Sequence, residues 1–277
     1  MPTEIKLLDN SPLTTDELSN SQLVDLDFLQ EYLTEVRIKP LRETDLLTIA
    51  QAHAPKVQKV LTEPDLSLPD WLVEKYRILK ANLSGRQTEK EVKTLLLVSA
   101  LPGEGCSTIL ADFAKVLSQL GKQRVLLLDA NFSNPSLHKL FDLPGEIGLC
   151  EIVEKRVGLS TALKGTRFPN LSLVTRGHSD TKLTSIMESD RLRETIAILR
   201  EEFDYLLIDT ASLSRSSDAT LLSRIVDGVV LVLQAHRTRW EVALAAKKQL
   251  QEAGANILGV VLNRRKLVIP ERLYRRL

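Results

Sequence analysis

Six apolar runs of strand length alternate with helical segments, and this alternation constrains the fold more than any other feature of the sequence. Each run is apolar almost without interruption, which is typical of strands that are buried on both faces of a parallel sheet. We therefore predict an α/β, three-layer fold with a mostly parallel sheet, in which ligands bind at the carboxyl ends of the strands. The runs are "KTLLLVS", "RVLLLDA", "LSLVTRG", "DYLLIDT", "DGVVLVLQA" and "NILGVVLNR".

A phosphate-binding loop is predicted where the first run ends, in "SALPGEGCST" at residues 99–108. Such loops surround an anion with backbone N–H groups and with the N-terminus of the following helix. The glycines permit the tight backbone path, and a hydroxyl at the start of the helix suits Mg²⁺. A plain strand-to-helix turn is the alternative, which the strand and helix patterns on either side disfavour. The predicted nucleotide-binding residues are Pro102, Gly103, Glu104, Gly105, Cys106, Ser107 and Thr108.

Cys106 stands where phosphate-binding loops carry a lysine. Its presence removes a charge-assisted hydrogen bond of about 1.5–3 kcal/mol, so binding of ATP or ADP with Mg²⁺ is expected to be weak or lost. Phosphoryl transfer needs the cation more than binding does, because charge develops in the transition state. A thiol at a helix N-terminus also suggests a lowered pKa and a redox-sensitive thiolate. The simpler interpretation is a small residue tolerated after function was lost.

Two aspartates close apolar runs downstream of this loop. Asp209 ends "YLLID" and Asp129 ends "VLLLD", and both positions lie at the carboxyl edge of the predicted sheet. With Ser107 they form the predicted Mg²⁺ site, and they are the candidate catalytic residues, in vestigial form. An isolated aspartate at a strand end more often caps a turn, so that interpretation stays open for each of them.

The ends of the chain differ from its middle. Residues 1–70 are acidic at first and interrupted by prolines, and we predict a small helical N-terminal segment there. Residues 71–266 hold the α/β domain, and residues 267–277 form a basic tail for which a membrane surface, an acidic partner or solvent are all open. The net charge of +1 gives no reason to expect nucleic acid as a partner. No signal peptide pattern opens the sequence, and a cytoplasmic protein is expected.

Four stretches, spread over residues 72 to about 266, together resemble the bacterial tyrosine kinases of capsule and exopolysaccharide assembly. That family consists of P-loop proteins related to the MinD and ParA ATPases. The stretches are "SALPGEGCST", "VLLLDANFSNPSLHKLFDLPGEIGL", "FDYLLIDTASLSRSSDATLLSRIVDGVVLVLQAHRTRWEVA" and "ANILGVVLNRRK".

The resemblance implies further roles for residues outside the loop. It places Asn263 in the nucleotide site, and it identifies "EKYRILK" as similar to the family's oligomerisation helix, with Glu74, Arg77 and Lys80, the last where a second arginine is usual. It also implies a partner, either a membrane polysaccharide co-polymerase of the chain-length-regulator type or a kinase paralogue, with homo-oligomers as a further expectation. Such a protein would work at the inner face of the plasma membrane.

The sequence departs from the family pattern at positions that bind the nucleotide or carry out phosphoryl transfer in that family. Besides Cys106, Asn131 replaces an aspartate of the second motif, and the C-terminal tyrosine cluster is reduced to Tyr274. We therefore favour a degenerate regulator of polysaccharide assembly, either non-catalytic or weakly nucleotide-binding. The alternative is an active ATP-dependent tyrosine autokinase that uses Asp129 and Asp209 for Mg²⁺. An ATPase that positions cellular cargo, like MinD, shares the fold but matches fewer motifs.

Overall fold

The computed structural model describes residues 68–85, 91–121, 123–179 and 183–264. All strands in these ranges lie in one sheet. The strands are β1 (Thr94–Ser99), β2 (Val125–Ala130), β3 (Leu163–Gly165), β4 (Leu171–Val174), β5 (Tyr205–Thr210), β6 (Gly228–Gln234) and β7 (Ile257–Asn263). Their order across the sheet is β3-β4-β2-β5-β1-β6-β7. All neighbours pair in parallel except β3 and β4, which pair in antiparallel fashion. The predicted mostly parallel sheet is confirmed.

Helices connect these strands within the described ranges. They are α1 (Asp70–Gly85), α2 (Cys106–Gln119), α3 (Leu137–Leu140), α4 (Leu149–Val153), α5 (Leu159–Ala162), α6 (Leu183–Met187), α7 (Asp190–Glu202), α8 (Asp218–Leu222) and α9 (Trp240–Glu252). None of the helices in these ranges combines the length and the apolar character that crossing a bilayer requires.

The sheet is covered on both faces, because alternate residues of its apolar strands point to opposite sides. Leu95 and Leu97 of β1 pack into a core that includes buried residues of α1 and α2. Leu96 and Val98 pack into a second core that includes buried residues of α7 and α9. Every residue of β1 and β2 is buried. The predicted three-layer α/β architecture is therefore confirmed.

Helix α1 is packed against this domain through aromatic residues. The ring of Tyr76 stacks on the ring of Phe113 in α2, with centroids 5.8 Å apart, and Tyr76 is only 1% exposed. Stacked aromatic pairs of this kind add to the free energy gained from burying apolar area. The predicted N-terminal segment at 1–70 lies outside the described residues except at its last three positions, the basic tail at 267–277 lies wholly outside them, and both stay predictions.

Candidate nucleotide site

Three strand ends bring the predicted site residues together. The phosphate loop joins β1 to α2, and β5 lies between β1 and β2 in the sheet. In the parallel pairing of β2 with β5, Asp129 is the direct partner of Asp209. Strand topology therefore places the loop and both carboxylates at one edge, as the sequence predicted.

The loop turns sharply at its two glycines. Gly103 and Gly105 have φ of 80° and 90°, in the left-handed region that side chains with a Cβ rarely adopt. Gly105 also has no room for a side chain, since a Cβ there would lie 2.3 Å from Nδ2 of Asn263. Pro102, Gly103 and Thr108 are exposed at the mouth of the loop.

Glu104 and Asn263 hold the loop in place from inside the protein. The Glu104 carboxylate is fully buried and accepts the N–H of Leu101 at 2.8 Å and the N–H of Gln234 at 3.3 Å. The hydroxyl of Thr238 donates to the same carboxylate. Asn263 donates its amide N–H to the backbone carbonyl of Glu104 at 2.7 Å. Both predicted nucleotide-binding residues therefore brace the loop.

Cys106 is the first residue of α2, and its side chain is turned into the protein. The residue is 7% exposed, and its thiol is free. Burial raises its pKa well above the ordinary value, and the nearby carboxylates of Asp209 and Glu104 raise it further. The thiolate hypothesis is thus wrong, because burial and two carboxylates outweigh the helix N-terminus. A neutral thiol stands where a lysine would carry charge.

Ser107 and Asp209 form the centre of the predicted metal site. Ser107 donates its hydroxyl to Oδ2 of Asp209 at 2.7 Å. Oδ1 of Asp209 is buried without a hydrogen-bond partner among the described residues. Burial raises the pKa of Asp209 to about 8, and the neighbouring Asp129 carboxylate adds to this shift. An unsatisfied buried carboxylate oxygen is costly, and a cation or water would relieve it.

Asp129 also shapes the backbone that follows β2. Its carboxylate accepts N–H groups from Asn131 at 3.1 Å, Ser136 at 3.2 Å and Leu137 at 3.1 Å. Burial raises its pKa to about 6, against the lowering effect of these hydrogen bonds. The capping interpretation of this aspartate is therefore confirmed, while its predicted part in metal binding stays a prediction.

The ligand set suits Mg²⁺, the ion that this fold implies. A serine hydroxyl and two carboxylates are hard oxygen donors, and Asp209 has an oxygen to offer. No group of three or more histidine, cysteine, aspartate or glutamate side chains in the described ranges is placed to hold a metal on its own. Mg²⁺ usually keeps several waters and binds substrate phosphates, so it needs no protein ligands beyond Ser107, Asp129 and Asp209.

A cavity of about 670 Å³ adjoins the loop that Asp129 organises. His138 lines this cavity with Arg176 and Glu146, and burial lowers its pKa. The volume would accept one large side chain or small molecule. The lining residues are Pro135, His138, Leu143, Pro144, Gly145, Glu146, Arg176, Gly177 and His178.

The predicted oligomerisation residues lie on α1. Glu74 and Arg77 are exposed and form an ion pair with each other at 3.6 Å. Lys80 instead turns toward the domain, donates to the Gln123 side chain at 2.8 Å and lies 5.9 Å from the ring centroid of Tyr205. Glu74 and Arg77 are therefore exposed, whereas Lys80 is engaged within the chain, and the oligomerisation role of the three residues stays a prediction.

No protein-family model matches the chain, whereas comparison with individual known proteins finds relatives. The tyrosine-protein kinase YwqD of Bacillus subtilis is 30% identical over 194 residues, which are 70% of this chain and 81% of YwqD. The putative tyrosine-protein kinase CapB of Staphylococcus aureus is 31% identical over 191 residues, which are 69% of this chain and 83% of CapB.

Two solved structures share the fold of this chain. The chimerical protein CapA2B2 matches with a TM-score of 0.67 at 26% identity, over 70% of this chain and 85% of that chain. The cell division ATPase MinD of Pyrococcus furiosus matches with a TM-score of 0.53 at 23% identity, over 62% of this chain and 72% of that chain, which shows the predicted MinD-like P-loop fold. Together with the two kinases above, these likenesses establish that the chain belongs to the family of bacterial tyrosine-protein kinases.

Proposed function

We propose that this chain is a regulator of capsule or exopolysaccharide assembly, built on the tyrosine-kinase scaffold, that binds ATP or ADP with Mg²⁺ weakly and does not transfer phosphate efficiently. The supporting observation is the buried, neutral Cys106 at the lysine position of an otherwise well-formed phosphate loop. Its immediate ionisable neighbours are the acidic side chains of Glu104 and Asp209, so no neighbouring group in the described ranges supplies the positive charge that a lysine would carry.

The missing lysine affects binding and catalysis unequally. A charge-assisted hydrogen bond to phosphate contributes about 1.5–3 kcal/mol, so its absence weakens nucleotide binding by about 10- to 100-fold. In phosphoryl transfer, catalysis consists almost entirely of positioning and charge stabilisation, so the same loss falls on the transition state as well. We therefore expect this protein to retain weak nucleotide binding although it has lost efficient phosphoryl transfer.

The rest of the site supports a retained but weak affinity. The loop keeps its left-handed glycines, and the first turn of α2 offers N–H groups that have no partner within a helix. Ser107 and Asp209 would hold Mg²⁺ through their oxygens. The bound ion would supply positive charge against the nucleotide phosphates, and Asp129 would stay with the backbone groups that it already binds.

The regulatory part of the proposal rests on contacts with other proteins. The exposed pair Glu74 and Arg77 shares α1 with Trp71 and Ile78, which are 50% and 46% exposed. Exposed apolar side chains next to charged ones are typical of a protein interface. A membrane polysaccharide co-polymerase or an active kinase paralogue is the partner that we propose, at the cytoplasmic face of the membrane.

Calorimetric titration of Mg-ATP and Mg-ADP tests the nucleotide part directly. We expect Cys106→Lys to bind about 10- to 100-fold more tightly than wild type, because it restores the cation. Cys106→Ala is the matched control, since it removes the thiol without adding charge, and it should bind like wild type.

The same proteins should be incubated with radiolabelled ATP to follow incorporation of phosphate. We expect none in the wild type. Tight binding by the wild type together with phosphate on Tyr274 would contradict the proposal and identify an active autokinase. Equal binding by wild type and Cys106→Lys, without incorporation, would show that the residue at position 106 does not set the affinity.

A further inference from the structure

Two arginines converge beside the phosphate loop, on segments that follow β6 and β7. Nη1 of Arg237 and Nη1 of Arg264 each lie 3.3 Å from the same acceptor, Oε1 of Gln234. Gln234 and Asn263 end their strands as direct partners in the β6–β7 pairing. The register of two parallel strands therefore brings the arginines together.

The arginine pair, Arg237 and Arg264, lies against the loop itself. A methyl group built on Gly103 would lie 3.5 Å from Nη1 of Arg237. The buried Glu104 carboxylate accepts from Gln234 and Thr238, so the segment carrying Arg237 is fixed to the loop from beneath. Both arginines are exposed, and their positions relative to the loop follow from these contacts.

No carboxylate in the part of the chain that the structure describes neutralises the charge of this pair. Within the described ranges neither arginine forms an ion pair with a carboxylate, and their shared acceptor is a neutral amide oxygen. Two guanidinium groups that approach one oxygen repel each other. An anion bound between them would attract both and offset that repulsion. Guanidinium groups match phosphate oxygens in geometry and bind them with strong hydrogen bonds.

We propose that Arg237 and Arg264 bind the polyphosphate of a nucleotide and supply positive charge that Cys106 cannot. This inference rests on the proposed nucleotide binding and adds how the affinity is retained. The cations would approach the loop at Gly103, which is exposed, whereas the side chain at position 106 is buried. Such a position favours binding of phosphate without restoring the cation at the start of α2.

The test is a titration of Mg-ADP into the double variant Arg237→Gln, Arg264→Gln, beside wild type. We expect an affinity about 10- to 100-fold lower, with a weaker dependence on salt concentration, because charge-assisted contacts are lost. Arg239→Gln is the matched control, an exposed arginine two residues further on at the start of α9, and it should bind within about twofold of wild type. Adenosine, followed by ligand-observed NMR, should bind both proteins equally.

Each other outcome overturns a defined part of the reasoning. Unchanged Mg-ADP binding by the double variant would overturn the arginine pair and leave the proposed function intact. A wild type that binds no nucleotide at millimolar concentration would overturn both. Equal losses of Mg-ADP and adenosine affinity would show that the arginines act on the nucleoside or on the fold, and thermal unfolding of the variant would separate those two causes.

Discussion

Replacing Asp209 with asparagine should make the protein more stable than wild type at neutral pH, by an amount that grows as the pH rises. In the folded chain this carboxyl is fully buried beside Asp129, and its pKa is raised to about 8. In the unfolded chain an aspartate titrates at about 3.9. Protonation of Asp209 therefore favours the folded state. Its contribution to the free energy of unfolding is fully present below pH 4 and is lost as the pH rises to about 8.

The size of this stability difference follows from the one proton that the folded state holds and the unfolded state has released. Over the range in which folded Asp209 holds a proton that the unfolded chain has released, the free energy of unfolding falls by about 1.4 kcal/mol per pH unit. Between pH 5 and 7 wild type should therefore lose up to about 3 kcal/mol that Asp209→Asn keeps. For a domain of this size that corresponds to roughly 5 to 10 °C in the temperature of unfolding.

The assay is thermal unfolding followed by circular dichroism at half-unit intervals from pH 5 to 8. Other titrating groups contribute to both proteins, so the difference between the two curves isolates the buried carboxylate pair. Asp142→Asn provides the control, because Asp142 is exposed and its left-handed backbone (φ 53°) accepts asparagine. Curves for wild type and Asp209→Asn that run parallel across this range would refute the reasoning.

Two further predictions concern the packing around the site. Gly177→Ala should lower the free energy of unfolding by about 2–4 kcal/mol, because the position has φ +77° and its Cβ would lie 1.9 Å from the Glu151 carboxylate. In the control Gly165→Ala the added Cβ would meet no atom within 4 Å, so the free energy of unfolding should change by less than about 1 kcal/mol. Chemical denaturation measures both changes. In a Cys150→Ala background, Cys106 should react slowly with iodoacetamide at pH 7 until denaturant is added, because its thiol is buried and its pKa is raised; rapid modification of the native protein would contradict this.

All strands but one could be predicted from sequence because each of these is a continuous apolar run, and their observed bounds differ from the predicted ones by a few residues at most. β3 was not predicted. Its sequence, Leu163–Gly165, is three residues long and has no apolar alternation, and it forms a strand only because β4 lies beside it. Pairing at a sheet edge is a long-range contact that local composition does not specify.

The site was predictable to the extent that strand order alone brings its parts together. Asp129 and Asp209 follow apolar strands, and parallel topology places such residues at one edge. The electrostatics of Cys106 were not predictable, because its helix position suggests a lowered pKa while the carboxylate that helps to raise it lies far along the chain. The arginine pair was missed for a similar reason, since its members lie in two different stretches of the sequence and only the β6–β7 register brings them together.

Glu104 gives the phosphate loop a shape that does not depend on the residue at position 106. Its carboxylate joins the loop to the end of β6 and to the segment before α9, and Asn263 binds its carbonyl from the other side. These bonds are internal and do not involve the side chain at position 106. Exchanging cysteine for lysine at that position should therefore change the charge of the loop and leave its anion-binding shape unchanged.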